Sequence, residues 1–351
     1  MMSKLFNFNL PIVAATAIGA VTILGMYLLY RKPKRNSIPT EWKAVGKVKG
    51  LYMYPLKGGR RVELKTAHCT GYGIQLKTEN GYPLKDRFLA VYKEANKEYK
   101  TSKNYPKMVL MEVTTINPDT ITINAPGMST LNFNVSTLDS INKPNKISIW
   151  DNEKVFTIDC GDKAAQWISE YILDKPSGLR LGLHDGLPDH RRNIKETHQK
   201  YFKFYPYLES SSLGLYSYLT GYLLINQASV DELSMRIPAS NVTAHNFRPN
   251  ILVEGENLGP YDEDKWGWVK IGDVMWQNVK PCTRCLITTI DPDTGIKATD
   301  EEPLKTLKSY RKSKDVTKID FEGDDPVMGI YLALKRDGEI KIGDTVFIGK
   351  S

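Results

Sequence analysis

From Leu5 to Tyr30 the chain carries no charged side chain, and Leu10 to Tyr30 is a run of 21 mostly apolar residues with no polar face. At about 1.5 Å per residue, a helix of that length crosses a hydrocarbon core of about 30 Å. A cleaved signal peptide has a shorter apolar core, with its basic residues in front. Here Arg31-Lys32-Pro33-Lys34-Arg35 follow the run, against a lone Lys4 ahead of it. The pattern predicts an uncleaved transmembrane helix acting as a membrane anchor, with the following domain on the cytosolic side. A helix apolar on every side could be a core helix only if protein surrounded it.

Beyond a short linker the pattern shortens to that of strands. Val48–Leu56 alternates. Arg87–Tyr92, Met108–Thr115, Thr120–Ala125, Leu131–Val135 and Lys146–Trp150 are β-branched or aromatic, and turn residues such as Asn117-Pro118-Asp119 divide them. Short strands at this spacing predict an antiparallel barrel or sandwich. A helix is predicted over Lys163–Leu173, with Asp162 as its N-cap and Ala165, Trp167, Ile168 and Ile172 on its apolar face. Residues 184–208 are polar, without either period, and form a connection long enough to cover a site. A second β-rich part holds Tyr222–Asn226, a capped helix from Ser229 to about Arg236, Ile251–Glu254, Trp266–Ile271, Leu286–Ile290, Met328–Leu334 and Ile340–Ile348. The division is thus an anchor and linker over 1–44, a β domain over 45–183, the connection, and a second β domain over 209–351. The class is β-rich α+β.

Charge adds little. The chain has 48 basic and 40 acidic residues. The first 40 residues hold five of the basic ones and no acid, so the remainder balances at +3. That leaves no footprint for nucleic acid. Four unevenly placed cysteines suit a reducing compartment. The sequons Asn134-Val135-Ser136 and Asn241-Val242-Thr243 are idle under a cytosolic topology.

No Gly-x-Gly-x-x-Gly, phosphate loop, Gly-x-Ser-x-Gly elbow or His-Glu-x-x-His occurs. Chemistry on this chain therefore rests on a bound cofactor. The chemical feature that remains is Cys282-Thr283-Arg284-Cys285, where a guanidinium adjoins a thiol. Cationic neighbours favour the thiolate. Cys69 and Cys160 stand alone, and His68, His184, His190, His198 and His245 include no pair three to five apart, so a four-ligand zinc site has no basis. A thioredoxin-like dithiol opens a helix, whereas Leu286–Ile290 has a strand composition. A reactive thiolate, a metal ligand and a structural cysteine remain open on this reading.

Taken in order, several blocks extend the picture. They are Tyr54-Pro55-Leu56-Lys57-Gly58, Asp86-Arg87-Phe88, Asp159-Cys160-Gly161 with Ala165-Gln166-Trp167-Ile168, Asn246-Phe247-Arg248-Pro249-Asn250-Ile251, Cys282 to Gly295, and Glu302-Pro303-Leu304 with Thr306 to Arg311. From about residue 45 to its end the chain resembles the MOSC-domain molybdenum proteins, and among them the amidoxime-reducing components. The resemblance implies an N-terminal MOSC-type β-barrel domain followed by a MOSC domain carrying the molybdenum-molybdopterin cofactor. It implies Cys285 as the ligand to molybdenum, which suits a soft thiolate. It implies Lys57, Arg87 and Arg248 as cofactor-binding cations, with Arg the planar fork and Lys the point charge. Cys282 falls outside the ligand position.

Departures are local. Gly58 replaces a residue that is often Ser, leaving only its backbone N–H. Leu219-Thr220 replaces a hydroxyl pair, leaving Thr220 as donor. Thr283 stands where Ser is common, and Tyr331 falls where a relative places a tyrosine by the cofactor. The resemblance further implies reduction of amidoximes, hydroxylamines and N-oxides with electrons from NADH through cytochrome b5 reductase and cytochrome b5. The expected place is the mitochondrial outer membrane, facing the cytosol, with the endoplasmic reticulum or peroxisome as alternatives. A non-catalytic cofactor carrier would share the same cations. A sulfurase needs an upstream desulfurase domain, which 44 residues do not hold. A purely structural membrane protein is a further alternative.

Overall fold

Trp42–Met53 is a strand of 12 residues that pairs antiparallel with three partners: Thr345–Gly349, Ile251–Glu254 and Val62–Leu64. It reaches all three because the register slips twice, between Ala44 and Gly46 and between Val48 and Gly50. Such irregularities bend a strand and increase its twist. At Gly46 a Cβ would stand 2.2 Å from the carbonyl oxygen of Glu254, so only glycine allows this approach.

The computed structural model describes residues 37–77, 79–141, 145–193, 199–237, 241–313, 319–320 and 322–349. The anticipated membrane helix lies outside the described residues, as do His198 and part of the 184–208 connection. Among the described residues no helix is long and apolar enough to cross a membrane.

The main sheet runs in the order Ile251–Glu254, Tyr222–Asn226, Val327–Arg336, Val274–Thr283, Trp268–Ile271, Thr345–Gly349, Trp42–Met53 and Val62–Leu64. Pairing of Trp42–Met53 with Ile251–Glu254 closes it into a barrel. Only the Tyr222–Asn226 and Ile251–Glu254 pair within it is parallel. Leu51, Met53, Trp276, Ile330 and Val346 are among its buried core residues. Closure leaves few free edges.

Leu89–Lys93 lies in a five-stranded sheet with Asn145–Ser148, Lys154–Asp159, Leu179–Leu183 and Tyr99–Lys100. Leu131–Asn134, Thr120–Asn124 and Glu112–Asn117 form a three-stranded sheet. Gly338–Lys341, from the C-terminal end, pairs with Thr66–Thr70 beside Gly73–Leu76 and Leu84–Lys85. Both ends of the chain therefore contribute strands across the two halves.

Several local expectations need correction. Leu286–Thr289 is a 3-10 turn, not a strand. The Thr288 and Thr289 hydroxyls donate to the carbonyls of Cys285 and Leu286, at 2.9 and 2.8 Å, and this local bonding competes with a strand ladder. The helix Asp162–Leu173 is capped by Gly161 rather than Asp162, with Asp159 accepting the Gly161 N–H at 2.8 Å. The helix anticipated from Ser229 is Gln227–Met235, and its cap is Asn226, whose side chain accepts from the Ala228 N–H. Met108 and Val109 belong to the 3-10 turn Pro106–Leu110, and Val135 opens the helix Val135–Ile141.

Candidate functional site

Arg87 and Arg248 both adopt positive φ, +50° and +53°, in the left-handed region that residues other than glycine seldom occupy. Such conformations persist where the surroundings fix them, and they gather at functional sites. Arg87 is fixed by Tyr54, whose carbonyl accepts its N–H at 2.7 Å, and by the Tyr216 N–H, which donates to its own carbonyl at 2.9 Å. Arg248 ends the 3-10 turn Ala244–Phe247, which Thr243 and Asn246 close as a capping box.

Asp86 anchors this corner. It is buried, and its Oδ1 accepts from the Tyr54 N–H at 2.8 Å and from Asn250 Nδ2 at 3.1 Å, while Oδ2 takes a short contact from Arg87 Nη1. Arg87 is therefore neutralised. Arg248 is not. Its guanidinium carbon lies 4.1 Å from the Tyr54 ring centroid, and its buried Nη2 has no hydrogen-bond partner among the described residues. Burial, and the like charge of Arg87 after it, push Arg248 down to about 10, so it stays charged at neutral pH.

A cavity of about 370 Å³ opens on this corner. Lys57, Gly58, Arg87, Thr220, Arg248, Thr283, Cys285 and Tyr331 all line it, so the structure brings together every residue singled out in the sequence. They come from distant parts of the chain. The Lys57 ammonium sits 4.2 Å from the Trp150 ring centroid. Burial, then the guanidiniums of Arg87, Arg192 and Arg248, hold its pKa well below the ordinary lysine range. The Thr220 hydroxyl donates to the Tyr222 carbonyl at 2.8 Å. Gly58 has φ +83°, and a Cβ there would meet the Ser102 backbone nitrogen at 2.8 Å, so a side chain has no room here.

The two thiols differ. Cys282 is buried at the end of the strand Val274–Thr283, where Arg284 Nη1 donates to its Sγ at 2.8 Å and the Tyr331 hydroxyl bonds to it. Burial and then the Cys282 thiol raise the Tyr331 pKa well above its usual value, so its hydroxyl keeps its proton. Cys285 is half-buried, caps the 3-10 turn and lines the cavity. Arg284 thus serves Cys282 rather than the adjacent Cys285. Its Nη2 also bonds the Phe247 carbonyl, while its Nε is buried without a partner among the described residues.

Sequence reasoning passed over Asp86 and Asn250 as supports, Arg192, and the rings of Tyr99, Trp150 and Tyr218. Arg192 is buried and forks onto Glu153, at 2.8 and 2.6 Å, while donating to the carbonyls of Ser217 and Tyr218 at 2.5 and 3.1 Å. A basic residue inside the polar connection carried no signal that separated it from Arg191. Asn250 bonds the Tyr52 carbonyl at 3.2 Å, Asp86 and the Leu223 N–H, tying two strands to the turn at Asp86.

The donor set suits an anion that brings its own metal ligands. No group of three or more His, Cys, Asp or Glu side chains able to hold a metal occurs among the described residues. Arg248 and Arg284, each with a buried nitrogen that has no partner among the described residues, line the same cavity as Lys57 and one accessible thiol. A molybdenum-molybdopterin cofactor, which has an anionic phosphate and sulfur ligands of its own, fits that arrangement.

Comparison with known proteins agrees with the geometry. The family profile described as the MOSC N-terminal beta barrel domain matches residues 45–175, and that of the MOSC domain matches 220–347. The chain is 34% identical over 336 residues to mitochondrial amidoxime-reducing component 1 of Mus musculus, covering 96% of this chain and 91% of that protein. It is 35% identical over 305 residues to component 1 of Homo sapiens, covering 87% and 83%. With component 2 of Bos taurus it shares 33% over 303 residues, covering 86% and 83%. With both barrel domains matched and relatives similar over nearly its whole length, this chain belongs to the MOSC-domain family of amidoxime-reducing components.

Proposed function

We propose that this protein is a molybdenum-dependent reductase of N-hydroxylated compounds: amidoximes, hydroxylamines and N-oxides. The observation that carries the reading is one half-buried thiol, Cys285, opening onto a cavity whose Arg248 has no counterion among the described residues. The names of the relatives, amidoxime-reducing components, supply the reaction class.

Lys57 and Arg248 would hold the anionic part of the cofactor, and Cys285 would ligate its metal. When bound, the cofactor supplies two-electron chemistry able to remove oxygen from nitrogen. The net reaction takes up two electrons and two protons, turning R–NH–OH into R–NH2 and water. Burial and the neighbouring guanidiniums loosen the Lys57 proton, and an anion bound beside it would favour the ammonium again. Tyr331 keeps its proton and remains a hydrogen-bond donor. The strained corners at Arg87 and Arg248 fix the cations before anything binds, so little ordering is needed.

In this reading the electrons come from NADH through cytochrome b5 reductase and cytochrome b5. The protein is held at the mitochondrial outer membrane by its apolar N-terminal run, with the cavity on the cytosolic side. The test is molybdenum and pterin content of the purified full chain, together with benzamidoxime turnover in a reconstituted chain of those carriers. Stoichiometric cofactor with turnover is expected. Cofactor without turnover would favour the carrier role, and an absence of both would end the proposal.

A further inference from the structure

Two aromatic rings beside the cavity each carry a pair of cations. Over the Tyr54 ring lie the guanidiniums of Arg248, 4.1 Å from the centroid, and of Arg87, 5.0 Å from it. Over the Trp150 ring lie the Lys57 ammonium, at 4.2 Å, and the Arg192 guanidinium, at 5.6 Å. In each pair the farther cation has a buried carboxylate of its own, Asp86 for Arg87 and Glu153 for Arg192. The nearer cation has none. Neither the Lys57 nor the Arg248 side chain makes an ion pair or hydrogen bond among the described residues, and both residues line the cavity.

The difference between a ring and a carboxylate is one of charge. A carboxylate in contact with Lys57 would cancel its charge and compete with an incoming anion. An aromatic face attracts a cation through its quadrupole and leaves that charge uncancelled. Burial and the guanidiniums of Arg87, Arg192 and Arg248 disfavour the Lys57 ammonium, while the ring face and a bound anion both favour it. The ring is also fixed. Trp150 opens a 3-10 turn that Glu153 closes by donating its N–H to the Trp150 carbonyl at 2.9 Å. The side chain of the same Glu153 takes the fork of Arg192, and the rings of Tyr99 and Tyr218 pack against the indole with centroids 5.1 and 5.0 Å away.

We propose that Trp150 is a positioning residue for the cofactor: its ring seats the Lys57 ammonium and leaves the charge available to the cofactor's anionic group. Trp150 acts through Lys57, as Tyr54 acts through Arg248. The seat rests on the cofactor reading of the cavity and adds to it what holds the lysine in place.

The test times the loss of molybdenum from the purified full chain during dialysis, by elemental analysis, and needs no turnover. Trp150→Leu should lose the metal about tenfold faster than the unaltered protein, the scale of one partly desolvated contact between a cation and a ring. Trp150→Phe should recover part of the retention. In a Lys57→Met background, Trp150→Leu should add nothing, because the ring then has no ammonium to seat. Unchanged retention in Trp150→Leu, or the same acceleration with and without Lys57, would overturn the proposal and leave the ring a packing role. Should Trp150→Leu not fold, or Lys57→Met hold too little metal to time, stepwise fluorination of Trp150 weakens the negative face of the ring at almost constant shape. Loss should then quicken with each fluorine, and a rate independent of fluorination would overturn the seat. If the unaltered chain carries neither molybdenum nor pterin, the cofactor reading fails on its own. Calorimetric titration with inorganic phosphate then judges the seat: binding about tenfold weaker in Trp150→Leu supports it, and equal affinity, or no binding to either protein, overturns it.

Discussion

The guanidinium of Arg248, with its Nη2 buried, meets the face of Tyr54, 4.1 Å away, where a partly buried cation would ordinarily meet a carboxylate. The nearby carboxylate, Asp86, is already engaged by Arg87 and Asn250. An aromatic face attracts a cation but leaves its charge uncancelled and its donors free. The cavity is thereby left electropositive at one fixed point.

Arg248→Ala should lower molybdenum occupancy more than it raises the Michaelis constant of the loaded fraction. In the loaded protein the cofactor's anionic group would be Arg248's partner, and removing one member of such a pair leaves the other charged and unpaired. Arg248→Lys should restore only part of the loss, since an ammonium keeps the charge and loses the fork. Elemental analysis beside kinetics decides it. Full metal content with a raised Michaelis constant would move Arg248 into the substrate's contacts.

Cys285→Ala should abolish benzamidoxime reduction, while Cys282→Ala should keep a measurable part. Cys282 is buried under Arg284 and Tyr331, and Cys285 faces the cavity. Equal loss in two well-folded variants would point instead to a dithiol mechanism.

Arg192→Ala should destabilise the protein by about 3–5 kcal/mol in chemical denaturation, because Glu153 stays buried without its partner. Replacing both by leucine should cost less than that single change. The Tyr218 segment loses its anchor in either case, so Trp150 fluorescence should shift in both.

Glu263 is fully buried, and its two oxygens share the Ser229 hydroxyl at 2.9 Å. Burial raises its pKa from 4.5 to about 7. Between those values the folded protein holds a proton that the unfolded chain has released, so stability falls as pH rises through this window. The scale is about 3 kcal/mol at most, from about 1.4 kcal/mol per unit. Melting temperatures from pH 5 to 8 should therefore fall more steeply for the native protein than for Glu263→Gln. Parallel curves would show that Glu263 does not titrate there.

Deleting residues 1–40 should leave a folded, cofactor-loaded protein, since the barrel strand begins at Trp42. Deleting 1–53 should not, because it removes the strand that closes the barrel against Ile251–Glu254. In intact organelles, protease should reach the domain from the cytosolic side. Protection, or glycans on Asn134 or Asn241, would reverse the topology.

By itself the sequence determined what depends on local order. Tyr222–Asn226 and Ile251–Glu254 were legible to the residue, because an apolar run between turn signals leaves a short strand few alternatives. The site's members were legible through motif resemblance, Lys57 and Arg248 included. Composition misled at Leu286–Thr289, where β-branched residues form a 3-10 turn once their hydroxyls bond back to the chain. Only the tertiary structure decided that Trp42–Met53 joins strands some two to three hundred positions away, since register is set by partners a local pattern does not name. It alone turned Arg284 toward Cys282, set Arg248 against the Tyr54 ring, and brought the rings of Tyr99, Trp150, Tyr218 and Tyr331 into succession. Each of those outcomes depends on which distant atoms occupy the neighbouring space, and a chain read in order carries no distances.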